Sequence, residues 1–198
     1  RKESSAASDV YKRQVHEEVP AEPGKTVHML QIFINLPEDK QAQAPHAFSL
    51  EARDVPVVRL PGVKIRVPLG AFGEIASPLS LPTDVRLLDI LLEAGGEVEI
   101  PIPFGHVAFV VPIDGEVSVD GQPFSLLDPK APVNLPQGPK QVVMVQAKNG
   151  AAKAVVFSGT PLNQPVHRQG PMALASPAAL SEAAQRYQRG LFGSLQTR

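Results

Sequence analysis

The chain has 198 residues, 43% of them hydrophobic, and 19 basic side chains against 20 acidic ones give a net charge of −1. That balance supplies no positive face for a phosphate backbone, so no nucleic-acid partner is expected, and no apolar run approaches the roughly 18 residues of a membrane-spanning helix. The lack of cysteine removes disulfides, thiolate metal sites and cysteine nucleophiles and fits a cytoplasmic protein, while 21 prolines spread along the chain favour short strands and turns over long helices.

Residues 1–14 carry neither a helical apolar period nor strand alternation and read as a non-native or disordered leader outside the fold. From Val15 to Leu36 the pattern predicts a strand, a turn at Pro23-Gly24 and a second strand that includes the run His28 to Pro37. The first of these strands holds Val15-His16-Glu17-Glu18. Side chains alternate faces along an extended strand, so His16 and Glu18 share one face about 7 Å apart. An imidazole nitrogen beside a carboxylate oxygen suits divalent iron, nickel, copper or zinc. Two donors alone hold an ion weakly, and no His-x-His pair stands elsewhere in the chain.

The polar stretch that follows reads as an inter-domain connector over residues 41–60, with a short helix around Pro45 to Glu51. Beyond it the chain is dense in strand signals. Arg86 to Leu92, Glu97 to Ile100, Val107 to Ile113 and Glu116 to Val119 are short apolar or alternating runs, broken by Ala94-Gly95-Gly96 and Asp114-Gly115. Asp120-Gly121 and Asn149-Gly150 each predict a hairpin, the second joining Val142–Val145 to Ala154–Phe157. Strands this short and evenly spaced argue for an antiparallel sandwich or barrel. A single helix is expected over about 177–189, capped by Ser176 with Pro177 in its first turn and stopped by Gly190. Leu180, Ala184, Tyr187 and Leu191 recur near helical spacing as its packing face.

Two further histidines are expected to be structural. His106 reads as a turn or surface residue, and His167 beside Arg168 as a surface pair after the Pro165 turn. No phosphate-binding glycine loop and no Gly-x-Ser-x-Gly elbow occurs.

The segment Gly96 to Gly115 keeps the spacing of the first cupin motif, with Ile102 and Phe104 at its two histidine positions and Ala108 at its glutamate position. Pro136-Gln137-Gly138 resembles the second motif, with Gln141 at the ligand position. The turns are kept and the four ligands are replaced, so this barrel is expected to be metal-free.

Together these pieces resemble the pirin family of two-barrel cupins. The resemblance rests on Val15-His16-Glu17-Glu18, the run His28 to Pro37, Ser77-Pro78 and Gly115-Glu116-Val117. Most specific is Gly159-Thr160-Pro161-Leu162-Asn163-Gln164-Pro165-Val166, continuing to Gly170-Pro171-Met172. Gln164, where Glu is commoner, and Ala47, where an aromatic is usual, depart from the pattern.

The resemblance implies an all-β bicupin of double-stranded β-helix type with a C-terminal helix. Residues 15–40 would be the remnant of a first barrel, 61–165 a complete second barrel, and 166–198 an extension. It implies one ion, usually iron, held by three histidines and a glutamate. His16 and Glu18 match two of these ligands, and a His-Pro-His motif that would supply the others is not found in this sequence. Glu18 could also serve as a base, and His28 and Gln31 stand as near-site candidates or as ordinary strand residues. The implied activity is dioxygenase cleavage of a flavonol such as quercetin by the intact parent, with this fragment inactive. The alternative is a redox-responsive module that binds a protein partner.

Overall fold

Alternation along a strand is a statement about two faces, and Glu97–Ile102 obeys it residue by residue: Val98, Ile100 and Ile102 are buried while Glu97, Glu99 and Pro101 are exposed. The computed structural model describes residues 7–10, 20, 22, 24–26, 28–41, 43, 47–126, 128, 141–170 and 172–192. They fall into two compact units, residues 52–161 and residues 1–51 with 162–198.

The strands begin with β1 (Ala7–Val10) and β2 (Ala47–Leu50), followed by β3 (Val57–Leu60), β4 (Val63–Leu69), β5 (Ala71–Phe72) and β6 (Ile75–Ala76). Next come β7 (Val85–Leu92), β8 (Glu97–Ile102), β9 (Val107–Asp114), β10 (Glu116–Val119) and β11 (Gln122–Ser125). The last are β12 (Gln141–Gln146), β13 (Ala152–Gly159), β14 (His167–Gln169) and β15 (Met172–Leu174), ahead of helix α1 (Pro177–Gln188).

In the 52–161 unit, one sheet has the order β3-β4-β7-β13-β9 and the other β11-β10-β12-β8, with antiparallel neighbours throughout. Their inner faces enclose one apolar core that includes Ile65, Val67, Leu88, Ile90, Ile100, Val110, Val117, Val143, Val145 and Val156. Each such fully buried aliphatic side chain contributes about 1.5–3 kcal/mol relative to exposure. β-Branched residues dominate the list because they pack well on a pleated surface.

Asp120-Gly121 closes the β10–β11 hairpin, and both residues have positive φ, 47° and 83°, as a two-residue turn matched to strand twist requires. Asn149-Gly150 does not close a hairpin. β12 pairs with β10 and β8 in one sheet, whereas β13 pairs with β7 and β9 in the other. The residues between them carry the chain from sheet to sheet. The end of β12 is tied instead to the turn before β8, through Ala147 N to Gly96 O (2.9 Å) and Gly95 N to Ala147 O (2.7 Å).

In the other unit, the segment expected as a helix around Pro45 to Glu51 contains strand β2, paired antiparallel with β1. So short a helix cannot repay its nucleation cost, whereas a neighbouring strand satisfies the backbone at once. Residues 7–10, inside the stretch read as a leader, supply that neighbour.

The expected strand His28 to Pro37 has no ladder among the described residues, and Met29, Leu30 and Phe33 are exposed. Alternation alone does not make a strand without a hydrogen-bonding neighbour. Its end is fixed by Gln164, which donates from Nε2 to the Leu36 carbonyl (2.6 Å) and accepts from the Glu38 N–H (3.1 Å). A glutamate carboxylate could not make the first of these bonds, which gives the departure at Gln164 a physical role.

Helix α1 follows its signals: Ser176 Oγ accepts from Ala179 N (3.1 Å), Pro177 opens the first turn, and Gly190 closes the end with φ 70°. Its buried face is Leu180 and Ala183, however, while Tyr187 and Leu191 are exposed.

Candidate functional site

His16 and Glu18 lie outside the described residues, as does Pro136-Gln137-Gly138. His28 and Gln31 sit exposed in the irregular segment 28–36. Among the described residues no three His, Asp or Glu side chains group as metal donors.

The motif positions in the two-sheet unit do converge. Ile102 is a cross-strand partner of Gln141, and Ala108 is a partner of Ser158, which on its other side faces Arg86. The short connection from Ile102 to Ala108 sets both at one end of the unit. Ile102, Ala108 and Gln141 are buried and Phe104 is 80% exposed on that connection. Hydrocarbon side chains stand at three of the cupin ligand positions and a neutral amide at the fourth, so these residues do not fit a metal ion.

Polar groups gather at the same end. Arg86 shares the inner parity of β7 with the core residues Leu88, Ile90 and Leu92 and is only 7% exposed. Its stem lies over Gly70, where an added Cβ would stand 2.8 Å from Arg86 Cγ and 2.9 Å from Cβ. Gly70 also has φ +74°, a conformation that a side chain resists, so this position is specified twice for glycine. Burial pushes the Arg86 guanidinium below its ordinary pKa, yet an arginine stays cationic at neutral pH. Nε and Nη2 are shut off from solvent and have no hydrogen-bond partner among the described residues.

His106 is 7% exposed, which corrects the surface reading although its backbone does close a turn onto Pro103 O (3.1 Å). Its Nε2 lies 2.8 Å from Asp84 Oδ2 and its Nδ1 lies 3.4 Å from Ser158 Oγ. Asp84 and Ser158 are 22 and 52 residues away in sequence, so nothing local announces that the ring turns inward. Thr160 Oγ1 donates to the same Asp84 oxygen (2.8 Å). The Asp84 carboxyl is held below its usual value chiefly by the Thr160 bond, against partial burial, with the His106 bond and charge adding to the lowering. A serine, a histidine and an aspartate in line suggest a nucleophile, but Ser158 Oγ is 4% exposed and its contact is long. The row orients polar atoms more readily than it attacks a substrate. His167 is half-buried and Arg168 exposed on β14.

None of Asp84, Arg86 or Ser158 stood out in the sequence. Arg86 carried a legible signal all the same: it occupies the inward parity of an otherwise apolar strand.

Two antiparallel sheets around one apolar core, with the glycine turns at both ends of the first cupin motif kept, define a cupin-type β protein. Residues 87–193 match the family model described as the pirin C-terminal cupin domain. The chain belongs to the pirin family. It is 32% identical to "Pirin-like protein" of Solanum lycopersicum over 90% of this chain and 61% of that one. It is 27% identical, over 95% of this chain and 65% of the other, to a Pseudomonas aeruginosa protein named "Putative quercetin 2,3-dioxygenase PA2418". A solved structure of quercetin 2,3-dioxygenase from Acinetobacter baumannii superposes with a TM-score of 0.69 at 24% identity, covering 82% of this chain and 56% of that one. The chain thus spans under two thirds of the length of these relatives. No helix among the described residues is long and apolar enough to cross a membrane.

Proposed function

We propose that this chain is the larger part of a pirin-type cupin whose whole protein is a metal-dependent oxygenase acting on flavonol-like compounds, with His16 and Glu18 among its metal ligands and a metal-free second barrel. One observation carries the reading. The motif positions of the two-sheet unit hold Ile102, Phe104, Ala108 and Gln141, which supports looking for the metal ligands in the segment containing His16 and Glu18 instead. The name of the Pseudomonas relative supports the substrate class.

The chemistry of the donor pair fits iron: one neutral imidazole and one carboxylate leave the remaining positions to other ligands and to substrate. When bound, the ion supplies a Lewis-acid centre for the deprotonated oxygens of an enediol-like substrate and a site for O₂ chemistry. His16 would fix the direction of approach by presenting one ring nitrogen. Glu18 would hold the ion through one oxygen and accept the proton of a substrate hydroxyl at the other. Two further imidazoles are needed for tight binding.

The test joins the segment of the Pseudomonas relative that precedes the matched region to Val15. The folded chimera is expected to hold one iron and to consume quercetin under air, with iron content lost in His16→Ala and turnover lost in Glu18→Gln. A folded, iron-loaded chimera without turnover overturns the activity. Full iron retention in a His16→Ala, Glu18→Ala double variant overturns the ligand assignment.

A further inference from the structure

We propose that the end of the two-sheet unit where the cupin ligands have been replaced binds a small carboxylate anion, with the Arg86 guanidinium as its counter-charge. The proposal stands apart from the flavonol reading and does not require iron.

A buried cation without a partner is costly, because its solvation is lost and nothing among the described residues replaces it. An ion or small anion bound from outside the chain is one way such a group is completed. Arg86 is inward-facing and 7% exposed, with Nε and Nη2 both unpartnered among the described residues. The site is also shaped for it, since Gly70 leaves room for the arginine stem where any Cβ would collide.

The surroundings select the ligand class. The next group along the row is Ser158, directly across the ladder from Arg86 and on the same face. Its hydroxyl is already oriented by His106 Nδ1 at 3.4 Å. His106 in turn is engaged at Nε2 by Asp84, so any charge on the imidazole is matched there and not offered inward. One uncompensated positive charge balances a monoanion, and a dianionic phosphate would leave a negative charge buried. The planar fork of arginine suits two carboxylate oxygens. Ile102 and Ala108 give that end an apolar wall, and Phe104 stands exposed on the connection between them. An aromatic carboxylate satisfies all of these features at once.

The probes are benzoate, acetate and inorganic phosphate, added to the 198-residue chain and followed by thermal melting and titration calorimetry. Benzoate is expected to raise the melting temperature by about 5–10 °C at a hundredfold excess over its Kd. Acetate should bind more weakly and phosphate least. Arg86→Met should abolish the response. Arg86→Lys, which keeps stem and charge but not the fork, should lose most of it, and Ser158→Ala should weaken binding by about tenfold. If Arg86→Met fails to fold, the lysine and alanine variants carry the test. A wild-type chain that binds none of the carboxylates overturns the proposal, as do variants that respond like wild type. Phosphate binding tighter than benzoate overturns the choice of a carboxylate.

Discussion

Asp89 and Arg86 lie three residues apart on β7 and face opposite sides of it, and their surroundings could hardly differ more. Asp89, on the outer face, is 8% exposed and sits between Arg66 Nη1, hydrogen-bonded to Oδ2 at 3.3 Å, and Lys153 Nζ, which pairs with Oδ1 by charge at 3.4 Å without a hydrogen bond. Arg66 is its cross-strand partner, so the sheet register itself delivers the counter-charge. Arg86, on the inner face, is buried to the same degree and receives no counter-charge among the described residues. A buried acid whose charges close within the fold is explained by stability. A buried base whose charges do not close points to something the fold receives from outside.

The contrast can be broken by three substitutions. The largest effect is expected at Asp89→Ala, which leaves two cations facing each other across β7. Because Arg66 and Lys153 side chains are 23% and 37% exposed and can be rehydrated, the loss should be about 2 kcal/mol, below the cost of breaking a fully buried pair. Urea unfolding at constant m-value reads it, and a loss under 0.5 kcal/mol, on the scale of exposed pairs, would place Asp89 among inert surface acids.

Asp84→Asn comes next, at no more than about 1 kcal/mol at pH 7, since the Asp84 side chain is 69% exposed and its charge is screened. The folded carboxyl lies below its ordinary value of 3.8. Its contribution is therefore fully present above that ordinary value and fades as pH falls through the lowered one. Wild type and Asp84→Asn should differ in unfolding midpoint above about pH 5 and converge as pH falls through the lowered folded value. A gap that persists undiminished in acid would assign the effect to packing.

The smallest effect, and the sharpest, is expected for Arg86→Met without added ligand. Exchanging an unpaired buried cation for an apolar chain of similar length removes its solvation cost, so the variant should gain stability, by about 1 kcal/mol once imperfect packing of the new chain is deducted. A loss above about 2 kcal/mol would mean that the guanidinium has a protein partner after all.

The parts of the fold that a local pattern can specify were legible. Strands β7 to β10 follow from apolar alternation, the β10–β11 turn from Asp120-Gly121, and the cap of α1 from Ser176-Pro177. The misreadings concern which segments become neighbours. Asn149-Gly150 carries a hairpin dipeptide, yet the flanking strands belong to different sheets. Ala47–Leu50 is a strand because residues 7–10 pair with it, and His28 to Pro37 has the alternation of a strand without a pairing neighbour. The same limit governs the site. His106 is set by residues far along the chain, so only its turn could be read locally. The spacing from Gly96 to Gly115 places Ile102 and Ala108 at the end of the unit where Arg86, His106 and Ser158 also gather.

The placement of β13 bears on how the protein is made. It is the last strand of its sheet in chain order, yet it lies between β7 and β9 and pairs with both along its length. Until it leaves the ribosome, two long strands each present a row of unsatisfied amides and carbonyls to solvent or to one another. Nascent chains halted shortly before Ala152 should therefore aggregate more readily than chains that already include β13.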